Sequence, residues 1–273
     1  MTRWVAAGDG VRIACDVAGS GPPLVLMHGA EATRQMFGAL VPLLASHHTV
    51  IAYDQRDCGE TESPPRAATL AELADDALAV VQALGHGRAH VFGSSYGGRV
   101  AQALVARHPQ AVAHLALGST WPLPRALAEL NPDGVRRIGE LRAALPDSAP
   151  ELATWFFPEA LLQEQPALRT FFARVQPASA RSQRRAAAVN DVYDPDWARV
   201  TAPALLLAGE LDRVVPSAVT MGMAALLPQA HRVLLSGVGH ATAMQAPARV
   251  AEVLIRFFAS DDASRIPTEE TRA

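Results

Sequence analysis

The chain contains no lysine. All 24 basic residues among its 273 are arginines, so no side-chain amine is available to form a Schiff base with a carbonyl compound. Cysteine is nearly absent as well. Cys15 and Cys58 have neither the number for a disulfide framework nor the spacing of a metal site, so free thiols in a reducing compartment are expected. A basic excess is missing too: the net charge is −3, without the surplus of positive charge that binds nucleic acid or anionic membranes. No apolar run reaches the roughly 20 residues of a membrane span, and Met1-Thr2-Arg3-Trp4 opens onto strand-like sequence, not an apolar leader. These absences set the expectation of a cytoplasmic protein with no nucleic-acid or membrane partner.

What is present centres on Gly93-Ser94-Ser95-Tyr96-Gly97, backed by Gly98. Before it lies the apolar run Ala89–Phe92, which reads as a buried parallel strand. After it Val100, Ala101, Leu104 and Val105 recur at helical spacing. A G-x-S-x-G at a strand-to-helix turn holds its serine at the carboxyl edge of the sheet, on a strained backbone with glycines where neighbours approach.

Around this centre, strands and helices alternate. A hairpin turns at Gly8-Asp9-Gly10. Leu24–Met27 forms a third strand ending in His28-Gly29-Ala30-Glu31, and a helix is expected over 36–46 with Met36, Leu40, Leu43 and Leu44 inward. Thr49–Tyr53 is the next strand. Thr69 and Glu72 make a capping box for a helix that ends before Gly85. Val112–Leu117 is the sixth strand. The alternation stops from Trp121 to Asp196, where nine prolines and clustered aromatics suit short helices. It resumes with Ala204–Ala208, a helix over 216–227, the strand Val233–Leu235, and a last helix from Pro247 to Ala259. The pattern predicts an α/β fold: an eight-stranded, mostly parallel sheet with helices on both faces. Its core would span 1–118 and 199–259, with a helical lid over 119–198 and a disordered tail at 260–273.

A serine hydroxyl is a weak nucleophile and needs a base, which needs an acid to hold its tautomer. Parallel topology gathers all strand ends on one edge. Asp212 follows the seventh strand and His240 the eighth, so both are expected beside Ser95. Glu210 is the rival acid but lies nearer the strand. His28, His90 and His114 read as buried and hydrogen-bonded, and His47, His48, His86, His108 and His231 as solvated. The backbone N–H groups of Ala30 and Tyr96 would stabilise an oxyanion. Such a site needs no metal and no cofactor.

His28-Gly29, Asp54–Gly59, the 93–98 elbow, Gly209-x-x-Asp212 and Gly239-His240 together resemble the α/β-hydrolase superfamily across residues 10–259. Within it, the segment from Tyr53 to Thr61 resembles that of aclacinomycin-methylesterase-like enzymes, which tailor polyketides in secondary metabolism. The resemblance implies a Ser95–Asp212–His240 triad. It also implies a serine hydrolase acting through an acyl-enzyme on an ester, thioester or lactone. Two departures stand out: Tyr96 replaces the methionine of many relatives, and Glu31 puts an acid beside the oxyanion loop. Ser95 is not the aspartate of haloalkane dehalogenases and epoxide hydrolases, and Ala30–Thr33 lacks the Ser-Gly-Pro-Gly-like run of C–C hydrolases.

Two alternatives remain open at this level. In one, His240 serves as base in a lyase or cyclase; in the other, the chain is a ligand receptor that keeps the triad. Glu31, Trp121, Trp155 and Phe156 are candidate contacts for a hydrophobic small-molecule substrate, against the plainer reading that the aromatics pack on one another.

Overall fold

The computed structural model describes residues 2–174, 179–227 and 230–259. The expected tail at 260–273 lies outside them, as do Pro177 and Pro228. Eight strands form one sheet: β1 (Arg3–Ala6), β2 (Arg12–Ala18), β3 (Pro23–Met27), β4 (Thr49–Tyr53), β5 (Ala89–Ser94), β6 (Val112–Gly118), β7 (Ala204–Gly209) and β8 (His231–Leu235). Their spatial order is β1-β2-β4-β3-β5-β6-β7-β8. Only β2 runs antiparallel to its neighbours. The helices are α1 (Val41–Leu44), α2 (Leu70–Ala83), α3 (Tyr96–Arg107), α4 (Leu127–Leu130), α5 (Pro132–Ala143) and α6 (Ala149–Phe156). They continue with α7 (Glu159–Glu164), α8 (Ala180–Val189), α9 (Ser217–Gly222), α10 (Thr242–Gln245) and α11 (Pro247–Phe258).

The continuous apolar strands divide their side chains between two cores by simple alternation. Val25, Met27, Val91 and Leu206 face Leu70, Leu73 and Val80 of α2 and Val100 and Leu104 of α3. Leu24, Leu26, Phe92, Leu205 and Leu207 face Val250, Leu254 and Phe257 of α11. Helices therefore cover both faces, and every parallel strand delivers its carboxyl end to the same edge. Helix α2 starts at the expected box, with the Thr69 hydroxyl and Glu72 carboxylate each accepting the other's backbone N–H. Gly85, at φ +86°, follows its end.

Between β6 and β7 the described residues contain helices and no strand, and proline sits in the first turn of α5 and α6. Elsewhere the periodic reading overreaches. The helix expected over 36–46 is a 3₁₀ turn at Arg34–Phe37 followed by α1, with Leu43 exposed. Gly38 and Pro42 interrupt it, and the apolar stripe is too short to hold a continuous helix. The helix over 216–227 shortens to α9 and a 3₁₀ turn at Met223–Ala225. No described helix is long and apolar enough to cross a membrane. Cys15 and Cys58 are buried and form no disulfide.

His48, placed on the surface by its polarity, is 4% exposed. Its ring meets His90 at 5.6 Å, and His90 meets His114 at 4.9 Å and stacks on Phe258 at 4.8 Å. His90 is buried as expected, but its Nδ1 has no hydrogen-bond partner, so ring packing takes the place of the expected bond. Burial, with His114 and His48 beside it, pushes the His90 pKa down to about 4.

Candidate active site

Ser95 occupies φ +55°, ψ −122°, between β5 and α3. A non-glycine residue there stores on the order of 1–3 kcal/mol of backbone strain, so surrounding contacts must hold it. The Ser95 N–H donates to the Gly118 carbonyl at 2.8 Å, and the Ser95 carbonyl accepts from the Thr120 hydroxyl at 2.6 Å and the Gly98 N–H at 2.9 Å. The glycines are dictated by approach. A Cβ on Gly93 would stand 2.3 Å from the Gly97 carbonyl oxygen, and one on Gly98 2.6 Å from the Thr120 side chain.

The other two groups arrive from β7 and β8. A Cβ on Gly209 would meet the Gly239 carbonyl oxygen at 2.3 Å, so these two loops press together at the sheet edge. Gln245 accepts from the Gly239 N–H at 2.8 Å and donates to the Gly237 carbonyl at 3.0 Å, bracing the histidine loop. His240 Nδ1 lies 2.9 Å from Asp212 Oδ2, and Nε2 lies 3.1 Å from Ser95 Oγ. The Val214 and Val215 N–H groups donate to Asp212 Oδ1 at 3.0 and 2.9 Å. They fix the buried carboxylate, which in turn selects the Nδ1–H tautomer and leaves Nε2 to accept the serine proton. Glu210 points elsewhere: it is exposed and accepts from the Ser236 hydroxyl and the Gly237 N–H.

The loop after β3 closes the other side. Gly29 approaches Ser95, with 3.6 Å between a Cβ built on it and the serine Cβ. The Tyr96 N–H heads α3, where no preceding turn supplies an acceptor. His28 is fully buried: Nδ1–H donates to the Gly29 carbonyl at 2.8 Å, and Nε2 accepts the Gln55 N–H at 3.0 Å. Burial first, and the Arg185 charge second, push its pKa down to about 3.

A folded-state pKa below the unfolded value of about 6.5 means that the unfolded chain binds the extra proton, so stability is lost as pH falls through that value. Between pH 7.5 and 5, His28 and His90 are each expected to cost about 2 kcal/mol of unfolding free energy. Urea titrations across that interval test this. A flat stability over the interval would show that the two imidazoles are not held neutral by the fold.

The Asp54–Gly59 segment has structural work throughout. Asp54 is buried and accepts from the Arg34 N–H and guanidinium. Arg56 pairs with Asp76 at 2.6 Å and with Asp9. Asp57, at φ +62°, pairs with Arg184 of α8. Gly59, at φ +48°, is required because a Cβ would enter the Asp54 carboxylate.

The candidate substrate contacts separate. Phe156 sits edge-on to the His240 ring at 5.6 Å, with Phe172 against it at 4.6 Å. Trp121 does not reach a pocket: it is 3% exposed, packed in the α2/α3-side core under Arg99 at 5.2 Å. Trp155 lies beneath Arg213 at 4.3 Å and beside Ile138, Leu141 and Leu152, a small core of its own. Glu31 is exposed and pairs with Arg142 of α5 at 2.8 Å. The Tyr96 side chain, given no task by the motif, donates its hydroxyl to the Ala188 carbonyl of α8 at 2.8 Å. Arg185, also from α8, stands over the Tyr96 ring at 4.5 Å. Three arginines at i, i+3 and i+4 with no acid in the helix were the available signal that α8 must find partners elsewhere. Among the described residues, no group of three His, Cys, Asp or Glu is placed to hold a metal ion.

An open, mostly parallel sheet that sets a serine on a strand-to-helix elbow, beside a histidine–aspartate pair, has the architecture of an α/β hydrolase. The chain belongs to the alpha/beta hydrolase fold family, whose profile matches residues 22–247, and it is a hydrolase. It is 37% identical over 120 residues to fluoroacetate dehalogenase of Burkholderia sp, a match covering 42% of this chain and 39% of that protein. It is 30% identical over 259 residues to pimeloyl-[acyl-carrier protein] methyl ester esterase of Xanthomonas axonopodis pv. citri (strain 306), covering 90% and 98%. Among solved structures, a thermophilic esterase from Thermogutta terrifontis superposes with a TM-score of 0.79 at 25% identity, covering 95% of this chain and 98% of that one.

Proposed function

We propose that the protein hydrolyses a carboxylic ester, thioester or lactone of an apolar small molecule through an acyl-enzyme on Ser95. One observation carries the reading: Ser95 Oγ lies 3.1 Å from His240 Nε2, while Asp212 holds the far side of the imidazole. His240 takes the hydroxyl proton as Oγ attacks the carbonyl carbon. The carbonyl π pair moves onto oxygen, facing the Ala30 and Tyr96 N–H groups. Collapse expels the alcohol, thiol or ring oxygen, which takes the proton from His240. Water, deprotonated by the same base, then releases the acid and restores Ser95. The match to a methyl ester esterase over nearly its whole length supports ester chemistry, and the hydroxyl nucleophile favours acyl transfer.

The helices between β6 and β7 act as a lid in this reading, with Phe156 as the apolar wall nearest the base. Turnover of short p-nitrophenyl esters and labelling of Ser95 by a fluorophosphonate are the direct tests. Activity that survives in Ser95→Ala means lyase or cyclase chemistry, and tight binding without turnover means a receptor. Across esters of rising hydrophobic size, kcat/KM is expected to climb. Phe156→Ala should cost bulky substrates roughly 5- to 50-fold and small ones little, the scale of one apolar contact. A flat series would assign Phe156 to packing alone.

A further inference from the structure

Helix α8 grips the catalytic edge with three arginines that are not equivalent. Arg184 pairs with the Asp57 carboxylate at 2.7 Å, and Arg181 donates to the Gly59 and Thr61 carbonyls at 2.8 and 2.9 Å. Arg185, 5% exposed, has no carboxylate. Its Nε donates to the Ala30 carbonyl at 2.7 Å. Its Nη2 donates to the Gln55 side-chain oxygen at 3.0 Å and lies 3.5 Å from the Gly29 carbonyl. Its Nη1 is buried with no hydrogen-bond partner. Gln55 completes the ring by donating to the His28 carbonyl at 2.6 Å.

Burying a guanidinium against neutral oxygens costs stability, and a helix already docked by an ion pair one residue earlier does not need it. The position of the charge suggests a different use. Arg185 holds the Ala30 carbonyl and reaches that of Gly29 at the limit of hydrogen-bond distance, and His28 holds the Gly29 carbonyl firmly. In a trans peptide the N–H points opposite to the C=O. Drawing the Gly29 carbonyl toward Arg185 and His28 therefore aims the Ala30 N–H to the other side, on the loop that abuts Ser95. Donors on that carbonyl also polarise the same peptide and strengthen its N–H.

We propose that Arg185 is a positioning residue of the oxyanion hole. It sets the Gly29–Ala30 peptide and leaves an uncompensated positive charge behind it. The proposal rests on the acyl-transfer reading of Ser95. It is tested by comparing wild type, Arg185→Met, Arg185→Lys and Arg184→Ala for ester kcat and KM, the rate of fluorophosphonate labelling, and melting temperature. Arg185→Met is expected to lower kcat and labelling rate together by about 10- to 100-fold with KM within about threefold, part of the effect of a missing oxyanion donor. Arg185→Lys, keeping the charge without the planar fork, should lose about tenfold, and Arg184→Ala less than about threefold. Should Arg185→Met fail to fold, Arg185→Lys is read in its place, and wild-type kcat there overturns the proposal. Equal losses in Arg184→Ala, or an effect on KM alone, also overturn it, pointing to helix docking or a substrate contact. Wild-type protein that takes no label overturns the reading of Ser95 itself, whereas equal labelling of wild type and Arg185→Met overturns only the role of Arg185.

Discussion

Replacing Ser95 with alanine is expected to lower ester turnover by at least about a thousandfold while leaving the melting temperature nearly unchanged. The substitution removes only Oγ, which meets His240 Nε2 at 3.1 Å, and keeps the Cβ and the backbone bonds to Gly118, Gly98 and Thr120. His240→Ala should lose a similar factor, and the double variant little more, because the two act in one step. Asp212→Asn should also be severe, since an amide beside Nδ1 favours the wrong tautomer. Glu210→Gln is the internal control: that carboxylate binds Ser236 and Gly237 on the exposed side of its loop. Steady-state kinetics on the five variants decide the matter. A loss in Glu210→Gln that equals the loss in Asp212→Asn would remove Asp212 from the proposed role.

Gly97→Ala is expected to destabilise the fold by at least about 3 kcal/mol, roughly 6–12 °C in Tm at this chain length. A Cβ there would stand 2.0 Å from the Met27 carbonyl oxygen and 2.7 Å from that of His28. Both obstacles are backbone, on the strand and loop that approach Ser95, so relief requires moving β3 away from the elbow. Gly139→Ala has the opposite sign. Gly139 lies inside α5 with nothing within 4 Å of its Cβ position, and alanine there should stabilise by about 0.5–1 kcal/mol. Calorimetry on both variants tests the steric reading, and wild-type stability in Gly97→Ala would refute it.

The elbow was legible because its requirements are local and steric. Glycines at 93, 97 and 98 are forced by atoms within a few residues, on the adjacent strand β3 or just past the end of β6, and the capping box at Thr69 and Glu72 closes over three residues. The histidines were harder. His48 has the polarity of a surface residue, yet Phe258, 210 positions away, packs against it. Trp121 drew attention as a pocket aromatic because it is aromatic at the start of the helical segment. Its burial under Arg99 depends on how that segment meets α3.

By itself the sequence determined the fold class, the alternation that covers both sheet faces, and the meeting of residues 95, 212 and 240 at one edge. These follow from short-range periodicity, glycine sterics and the common direction of parallel strands. Only the tertiary structure decided which aromatic faces His240, that Tyr96 needs its hydroxyl, and that Arg185 reaches across 155 positions to the Ala30 carbonyl. The reason is physical: a helix carries its apolar stripe in its own sequence, but the partner of a long polar side chain is set by packing between distant segments, for which no local pattern exists.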